Sequence, residues 1–180
     1  MRLAWTALFL CLAIGSAAAQ PKAQVDRWFQ DLAKAESADD AKPIEDKIET
    51  AFRQSGSASV DLLMARAKEA VSASDTKSAA AIIGSVTKLA PNYAEGWRLR
   101  ATLEAAGGND GAAMISLQRA VTINPRHFSA MADLAGMLED YGDKKAALTL
   151  YRKVLALYPR HEAANSRVRA LEREVEGQGI

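Results

Sequence analysis

Three prolines divide the chain, from its middle onwards, into equal lengths. Pro91, Pro125 and Pro159 lie 34 residues apart, and each ends a run of apolar residues spaced as on one face of a helix. Proline cannot continue a helix, so each one marks a helix end, after which a new apolar run begins. Self-similarity at a fixed period of this kind is the signature of stacked repeats. The spacing therefore predicts an all-α protein, built as an α-solenoid of antiparallel helix pairs.

The prolines delimit three units within residues 58–161, at about 60–93, 94–127 and 128–161. Alanines recur at two positions of every unit, where the two helices of a pair must approach closely. One pair cannot bury its apolar face alone, so the units are expected to stack and cover one another. The recurring alanines are Ala67, Ala101 and Ala135 in the first helices and Ala79, Ala113 and Ala147 in the second.

Four further segments flank the predicted units. Residues 1–19 combine a basic start, a short apolar core and three alanines before Gln20, which is typical of a cleaved secretory signal. Residues 20–57 carry two apolar helical stripes separated by polar residues, which predicts a helical hairpin that serves as an amino-terminal cap or a degenerate repeat. Residues 162–176 predict a capping helix with a charged outer face, and residues 177–180 predict a frayed tail.

The signal segment bears on the compartment and on cysteine chemistry. Its apolar core is too short to span a bilayer comfortably, which favours cleavage over retention as a membrane anchor, the alternative that the sequence leaves open. Cys11, the single cysteine, lies inside this segment. Cleavage after Ala19 leaves a chain without cysteine, which excludes thiolate catalysis and suits an oxidising compartment. The expected destination is the bacterial periplasm, with no stable membrane insertion after cleavage.

The units resemble the tetratricopeptide repeat (TPR) family, whose pattern is W-x2-L-G-x2-Y, then A-x3-F, then P. The second and third units match the pattern better than the first. The resemblance implies a superhelix of helix pairs whose first helices line a concave face, where peptides or partner helices dock. The matching residues are Leu63, Ala67, Ala70, Ala79, Ile83 and Pro91 in the first unit, Trp97, Ala101, Ala113, Leu117 and Pro125 in the second, and Leu134, Ala135, Leu138, Ala147, Tyr151 and Pro159 in the third.

Helical periodicity selects the side chains that this concave face would present to a partner. Arg98 is suited to engage a carboxylate, whereas Asp133 and Glu139 favour a basic segment. Arg100 stands where the pattern has leucine, so it either runs its stem over apolar surface toward a neighbouring carboxylate or reaches a carboxylate of a ligand. The candidate partner-binding residues are Met64, Lys68, Arg98, Arg100, Thr102, Asp133, Glu139 and Arg167, with Glu95 and Ser129 on the same exposed side.

Charge and histidine content exclude other classes of function. Twenty-three Lys and Arg against 22 Asp and Glu give a net charge of +1, so no electrostatic argument favours nucleic acid. His127 and His161, the only histidines, each end a Pro-Arg-His triplet and lie one period apart, without further ligands at metal spacing. They are predicted to be matching junction residues between units. No recognisable Ser/His/Asp arrangement is present, so the sequence predicts neither an enzyme nor a bound cofactor or metal.

These observations predict a non-catalytic scaffold or adaptor of the cell envelope that binds a protein or a peptide. Two other roles stay open at this stage. One is a chaperone-like escort for exported proteins, and the other is a regulatory subunit of an envelope enzyme or transporter. The sequence leaves the oligomeric state open as well.

Overall fold

The computed structural model describes residues 19–175 and Gly177, a part of the chain that contains nine α-helices and no strand. The predicted signal segment, except for Ala19, and most of the predicted tail lie outside the described residues. None of the nine helices is long and apolar enough to cross a membrane. The helices are α1 (Ala19–Lys34), α2 (Ala38–Phe52), α3 (Ala58–Ser72), α4 (Thr76–Leu89), α5 (Ala94–Ala106), α6 (Asp110–Ile123), α7 (Phe128–Asp140), α8 (Lys144–Leu157) and α9 (Glu162–Val175).

Helices α3 to α8 form three antiparallel pairs, α3/α4, α5/α6 and α7/α8, and α9 packs on α8. The alanines at the two recurring positions of the pairs are all at most 1% exposed. The absence of larger side chains at these positions lets the helix axes approach closely, as the sequence predicted. The all-α solenoid is therefore confirmed.

The turn inside each pair is built in the same way. The residue after the C-cap of the first helix has a positive φ in all three pairs: 59° at Ser74, 74° at Gly108 and 85° at Gly142. This left-handed residue lets the chain reverse while satisfying the last carbonyls of the helix. The next residue is the N-cap of the second helix, and its side chain accepts a hydrogen bond from a backbone N–H: Asp75 from Ser78, Asn109 from Ala112 and Asp143 from Ala146.

The hairpin of α1 and α2 lies against the side of the stack, along the junctions between units. Two side chains at these junctions donate hydrogen bonds to backbone carbonyls of the hairpin. The Tyr93 hydroxyl donates to the carbonyl of Arg53 at 2.7 Å, and Arg160 Nε donates to the carbonyl of Ala35 at 3.1 Å. Near the middle of the hairpin, Arg126 Nη1 lies 2.7 Å from the Asp26 carboxylate. The hairpin thus contacts the junctions that follow α4, α6 and α8.

The buried residues of the hairpin share a core with α7, α8 and α9, and not with α3. At its centre Phe128, which is fully buried, contacts the rings of Phe29 and Phe52 with centroids 6.3 and 6.0 Å apart. The expectation of a cap over the amino-terminal end of the stack therefore does not describe this packing. The exposed face of α3 presents Leu62 as its most exposed large apolar side chain. Phe128 instead offers an aromatic ring against which Phe52 of α2 packs, which explains why the hairpin lies there.

Candidate functional site

A cleft of about 480 Å³ lies between α5 and α7, the first helices of the second and third pairs. Three of the eight candidate residues, Arg98, Thr102 and Asp133, line it, and small residues keep it open. We call it the α5/α7 cleft. Its lining residues are Arg98, Ala101, Thr102 and Ala105 from α5, Leu117 from α6, and Asp133, Gly136, Met137 and Asp140 from α7.

Arg98 connects the two walls of the α5/α7 cleft. Its Nη1 lies 3.1 Å from Asp133 Oδ2 on α7, while its Nε and Nη2 donate to the two carboxylate oxygens of Glu95, at 2.8 and 3.2 Å. A guanidinium held on two sides in this way has a fixed position, because a bidentate pair restricts both distance and orientation. The side chain of Arg98 remains 26% exposed, so its outer edge faces the cleft.

Glu95 is buried, with 4% of its surface exposed, although periodicity placed it on the exposed side of α5. Burial alone would raise the pKa of Glu95, but hydrogen bonds from His127 and Arg98, together with the charge of Arg98, outweigh it and lower the pKa to about 2. Glu95 is therefore an ionised group inside the protein. It anchors Arg98 from below and fixes where that guanidinium is presented.

His127 completes this buried network and also begins α7. Its Nδ1 accepts a hydrogen bond from the N–H of Ala130, which leaves the proton on Nε2, 3.2 Å from Glu95 Oε2. The ring lies against Phe52 of the hairpin, with centroids 4.5 Å apart. One period later, His161 Nδ1 accepts from the N–H of Ala164. Both histidines thus cap the helix that follows them, which agrees with the prediction of junction residues.

The remaining candidates divide between this face and other parts of the molecule. Glu139 on α7 forms an ion pair with Arg167 on α9, with Arg167 Nε 2.9 Å from Glu139 Oε2, so the two extend the row of charges beyond the cleft. Lys68 is exposed on α3. Met64 is only 4% exposed and packs in the core of the first pair, so its assignment as a contact residue is wrong. Its unbranched side chain fills the space between α3 and α4.

Arg100 does not belong to the α5/α7 cleft. It lies two residues from Arg98, and residues at this spacing point to different sides of a helix. Its Nε lies 2.7 Å from Glu104 Oε1, and its guanidinium carbon lies 5.3 Å from the ring centre of Trp97. The Nε contact corresponds to the first of the two alternatives, a stem that runs toward a neighbouring carboxylate, and it leaves the terminal nitrogens of Arg100 available for the second, a carboxylate of a ligand.

The buried pair of Glu95 and His127 was missed at the level of the sequence. Helical periodicity places Glu95, the second residue of α5, on the solvent side of that helix. The prediction would hold for a helix on its own, but His127 covers this position. The sequence held one signal of the buried role of His127, namely its position one period before His161 in the same Pro-Arg-His triplet. In residues 19–175 and Gly177, no group of three or more His, Cys, Asp or Glu side chains is arranged to hold a metal ion.

Comparison with solved structures supports the fold. An O-GlcNAc transferase mutant of Thermobaculum terrenum matches with a TM-score of 0.57 and 27% identity, over 64% of this chain and 22% of the transferase. The chain thus corresponds to about a fifth of that enzyme. The Yersinia enterocolitica type III secretion chaperone SycD, solved in complex with a peptide of the translocator YopD, matches with a TM-score of 0.60 and 13% identity, over 66% of this chain and 95% of SycD.

Sequence comparison identifies the family. No family model matches the chain. A TPR repeat-containing protein of Rhizobium etli, however, is 31% identical over 162 residues, which are 90% of this chain and 79% of that protein. The 34-residue period, the buried alanines and the paired helices agree with this identity. The chain belongs to the tetratricopeptide repeat family.

Proposed function

We propose that the α5/α7 cleft binds a protein or peptide segment, and that the protein acts as a non-catalytic scaffold or adaptor. The observation that carries this proposal is the charged pair of Arg98 and Asp133 across a cleft of about 480 Å³. Glu95 and His127 hold the arginine in place from inside the fold, so the cleft presents a positioned cation without needing a ligand to order it. The Yersinia chaperone, which shares the fold, was solved with a peptide.

The chemistry of the α5/α7 cleft favours a segment that carries both charges. An acidic side chain of the partner would replace Asp133 on the exposed edge of Arg98, and a basic one would then pair with Asp133 or Asp140. Gly136 lines the cleft without a side chain, and we expect the backbone of an extended segment to lie over it. The ion pair of Glu139 and Arg167 continues the alternation toward α9. The order of acidic and basic side chains along the bound segment would determine in which direction it lies in the cleft.

A substitution at Gly136 tests this proposal directly. A Cβ added there meets only the Tyr151 hydroxyl, at 3.6 Å, which is an ordinary contact, so Gly136→Leu is the substitution chosen to fill the cleft. We expect Gly136→Leu and Arg98→Met each to lower capture of partners from periplasmic extract at least about tenfold, as for residues central to an interface. The matched control is Gly84→Leu, at a helical glycine on α4 with no atom within 4 Å of the added Cβ.

Capture that stays equal in Gly136→Leu and in the unchanged protein would exclude the α5/α7 cleft as the binding site. The identity of the captured proteins separates the roles. One partner in a fixed ratio supports a scaffold or adaptor, or a regulatory subunit if that partner is an enzyme or transporter. Many unfolded proteins would support the chaperone-like escort instead.

The proposed compartment is the bacterial periplasm. Its support is the pattern of residues 1–19, with a basic start, an apolar core and Ala17-Ala18-Ala19, and the absence of cysteine after that segment. Expression of the full chain in a bacterial host, followed by fractionation and mass measurement, tests it. We expect recovery from the periplasm with a mass that corresponds to cleavage after Ala19. A full-length chain in the membrane fraction would indicate an anchor instead.

A further inference from the structure

A second cleft of about 480 Å³ opens on another side of α5, between α5 and α4. Its apolar part is formed by Ile83, which is 1% exposed, and by the partly buried Leu103. Arg100 and Lys88 line it together with Glu104. We call it the α4/α5 cleft. A concave volume of this size with an apolar floor and a few polar groups is typical of small-molecule sites, which measure roughly 300 to 1,000 Å³.

The equivalent place one unit later is filled. Residues 34 positions after Ala80 and Gly84 are Met114 and Gln118, and those 34 positions after Arg100 and Glu104 are Leu134 and Leu138. The last two are apolar residues packed in a core. The α4/α5 cleft therefore does not follow from the repeat itself. It exists because this one unit boundary carries small residues on α4 and charged residues on α5.

The charges of the α4/α5 cleft are not balanced internally. Both oxygens of Glu104 are occupied, since Oε1 accepts from Arg100 Nε at 2.7 Å and Oε2 accepts from the Ser116 hydroxyl at 2.6 Å. Arg100 uses only Nε in this contact, so its two terminal nitrogens retain their donors. Lys88 forms no ion pair with any residue that the structure describes. Two cations and one satisfied carboxylate leave an excess of positive charge beside an apolar floor.

We propose that the α4/α5 cleft is a binding site for a small organic carboxylate with an apolar body. The carboxylate accepts hydrogen bonds from Lys88 and from the terminal nitrogens of Arg100. Such hydrogen bonds are strong because both partners are charged. The apolar body lies on Ile83 and Leu103, in the space that Gly84 leaves free. The Arg100 guanidinium carbon lies 5.3 Å from the ring centre of Trp97, a cation–π contact that supports the arginine. This site is separate from the α5/α7 cleft and goes beyond the binding of a protein segment there.

Isothermal titration calorimetry with octanoate tests the proposal, with octanol and acetate as comparisons. Octanol keeps the apolar body without the charge, and acetate keeps the charge without the body. We expect octanoate to bind one-to-one and both comparison molecules to bind at least about tenfold more weakly, the usual effect of losing a charge-assisted hydrogen bond or an apolar contact. Octanol binding as tightly as octanoate would overturn the assignment of the two cations.

Two variants locate the site. Gly84→Leu places a side chain in the α4/α5 cleft, and Lys88→Met removes the unpaired cation from an exposed position, so the second remains informative if the first disturbs packing. Each is expected to weaken octanoate binding at least about tenfold. Gly136→Leu, which fills the other cleft, is the matched control and is expected to bind octanoate as the unchanged protein does. Octanoate binding unaffected by both variants would refute the site.

Discussion

At the scale of single residues, the most consequential feature is a negative charge kept inside the fold. Glu95 is the second residue of α5, where an acidic side chain is favoured by the positive end of the helix dipole. Its carboxylate receives hydrogen bonds from Arg98 on the same helix and from His127 at the start of α7. The network therefore links two neighbouring units through one carboxylate, and it ends in Arg98 at the proposed binding surface.

This buried carboxylate makes stability depend on acid. The pKa of Glu95 is lowered from 4.5 to about 2. Between these two pH values the carboxylate is therefore ionised in the folded protein and protonated in the unfolded chain. Stabilisation is complete above the unfolded pKa and is lost as pH falls toward the folded one. We expect the free energy of unfolding to fall between pH 4.5 and about 2, by about 3 kcal/mol from this group alone.

Urea unfolding at neutral pH and at a series of acidic values measures this dependence. Other carboxylates titrate in the same range, so the informative quantity is the difference between the unchanged protein and Glu95→Gln. That difference should shrink as pH falls, because the variant has no charge to lose. Glu69→Gln, on the exposed surface of α3, is the control and should retain the full acid dependence. Parallel curves for the unchanged protein and Glu95→Gln would contradict the prediction.

At the scale of helices and turns, one of the three equivalent turns lacks its glycine. Ser74 adopts φ 59°, a left-handed conformation that costs a residue with a Cβ roughly 1–2 kcal/mol, whereas the equivalent positions carry Gly108 and Gly142. We expect Ser74→Gly to stabilise the protein by about 0.5–1 kcal/mol, since glycine relieves the strain but costs more entropy on folding. Thermal or urea unfolding measures the change.

The reverse substitution provides the control for this turn. Gly142→Ser should destabilise by a similar amount, because an added Cβ at φ 85° has open space around it and only the backbone conformation is unfavourable. A stabilising effect of Gly142→Ser, or a destabilising effect of Ser74→Gly, would mean that contacts of the serine hydroxyl outweigh backbone strain in these turns.

The helices and their turns were accessible from the sequence because their causes are local. A proline every 34 residues ends a helix by removing a donor, and alanines one period apart pack because they lack bulk. The assignment of Met64 failed because periodicity identifies the angular position of a side chain but not the element that covers it. The burial of Glu95 was missed for the same reason.

At the scale of the whole molecule, the hairpin of α1 and α2 departs from simple repeat stacking. In a solenoid each unit contacts its neighbours only, but here the hairpin reaches the junctions that follow all three pairs. Its docking depends on Phe128 meeting Phe29 and Phe52, residues far away along the chain. No sequence pattern relates these aromatics, so the hairpin itself was predictable and its place was not.

A truncation at the hairpin interface tests whether it is a separable layer. Phe29 is 7% exposed, contacts Phe52 and Phe128, and lies under the Arg126 guanidinium at 4.3 Å. We expect Phe29→Ala to cost about 3 kcal/mol, as for a buried aromatic side chain. Hydrogen exchange should then accelerate in α1 and α2 while α3 and α4 keep their protection.

The control for this experiment is Leu62→Ala, an exposed residue of α3 that should change neither stability nor exchange appreciably. Acceleration spread evenly over α1 to α9 after Phe29→Ala would show instead that the hairpin and the stack unfold as one cooperative unit. Either pattern is read directly from the exchange rates of the individual helices.

The position of the hairpin also has a consequence for the order in which the chain can assemble. Asp26 pairs with a residue 100 positions later, Glu45 accepts from a hydroxyl 113 positions later, and the carbonyl of Ala35 accepts from a side chain 125 positions later. Helices α1 and α2 therefore have no complete packing surface until α7, α8 and the junction after them have been synthesised. Phe29 and Phe52 lack their contact with Phe128 until α7 has been synthesised, so docking of the hairpin is a late step of assembly.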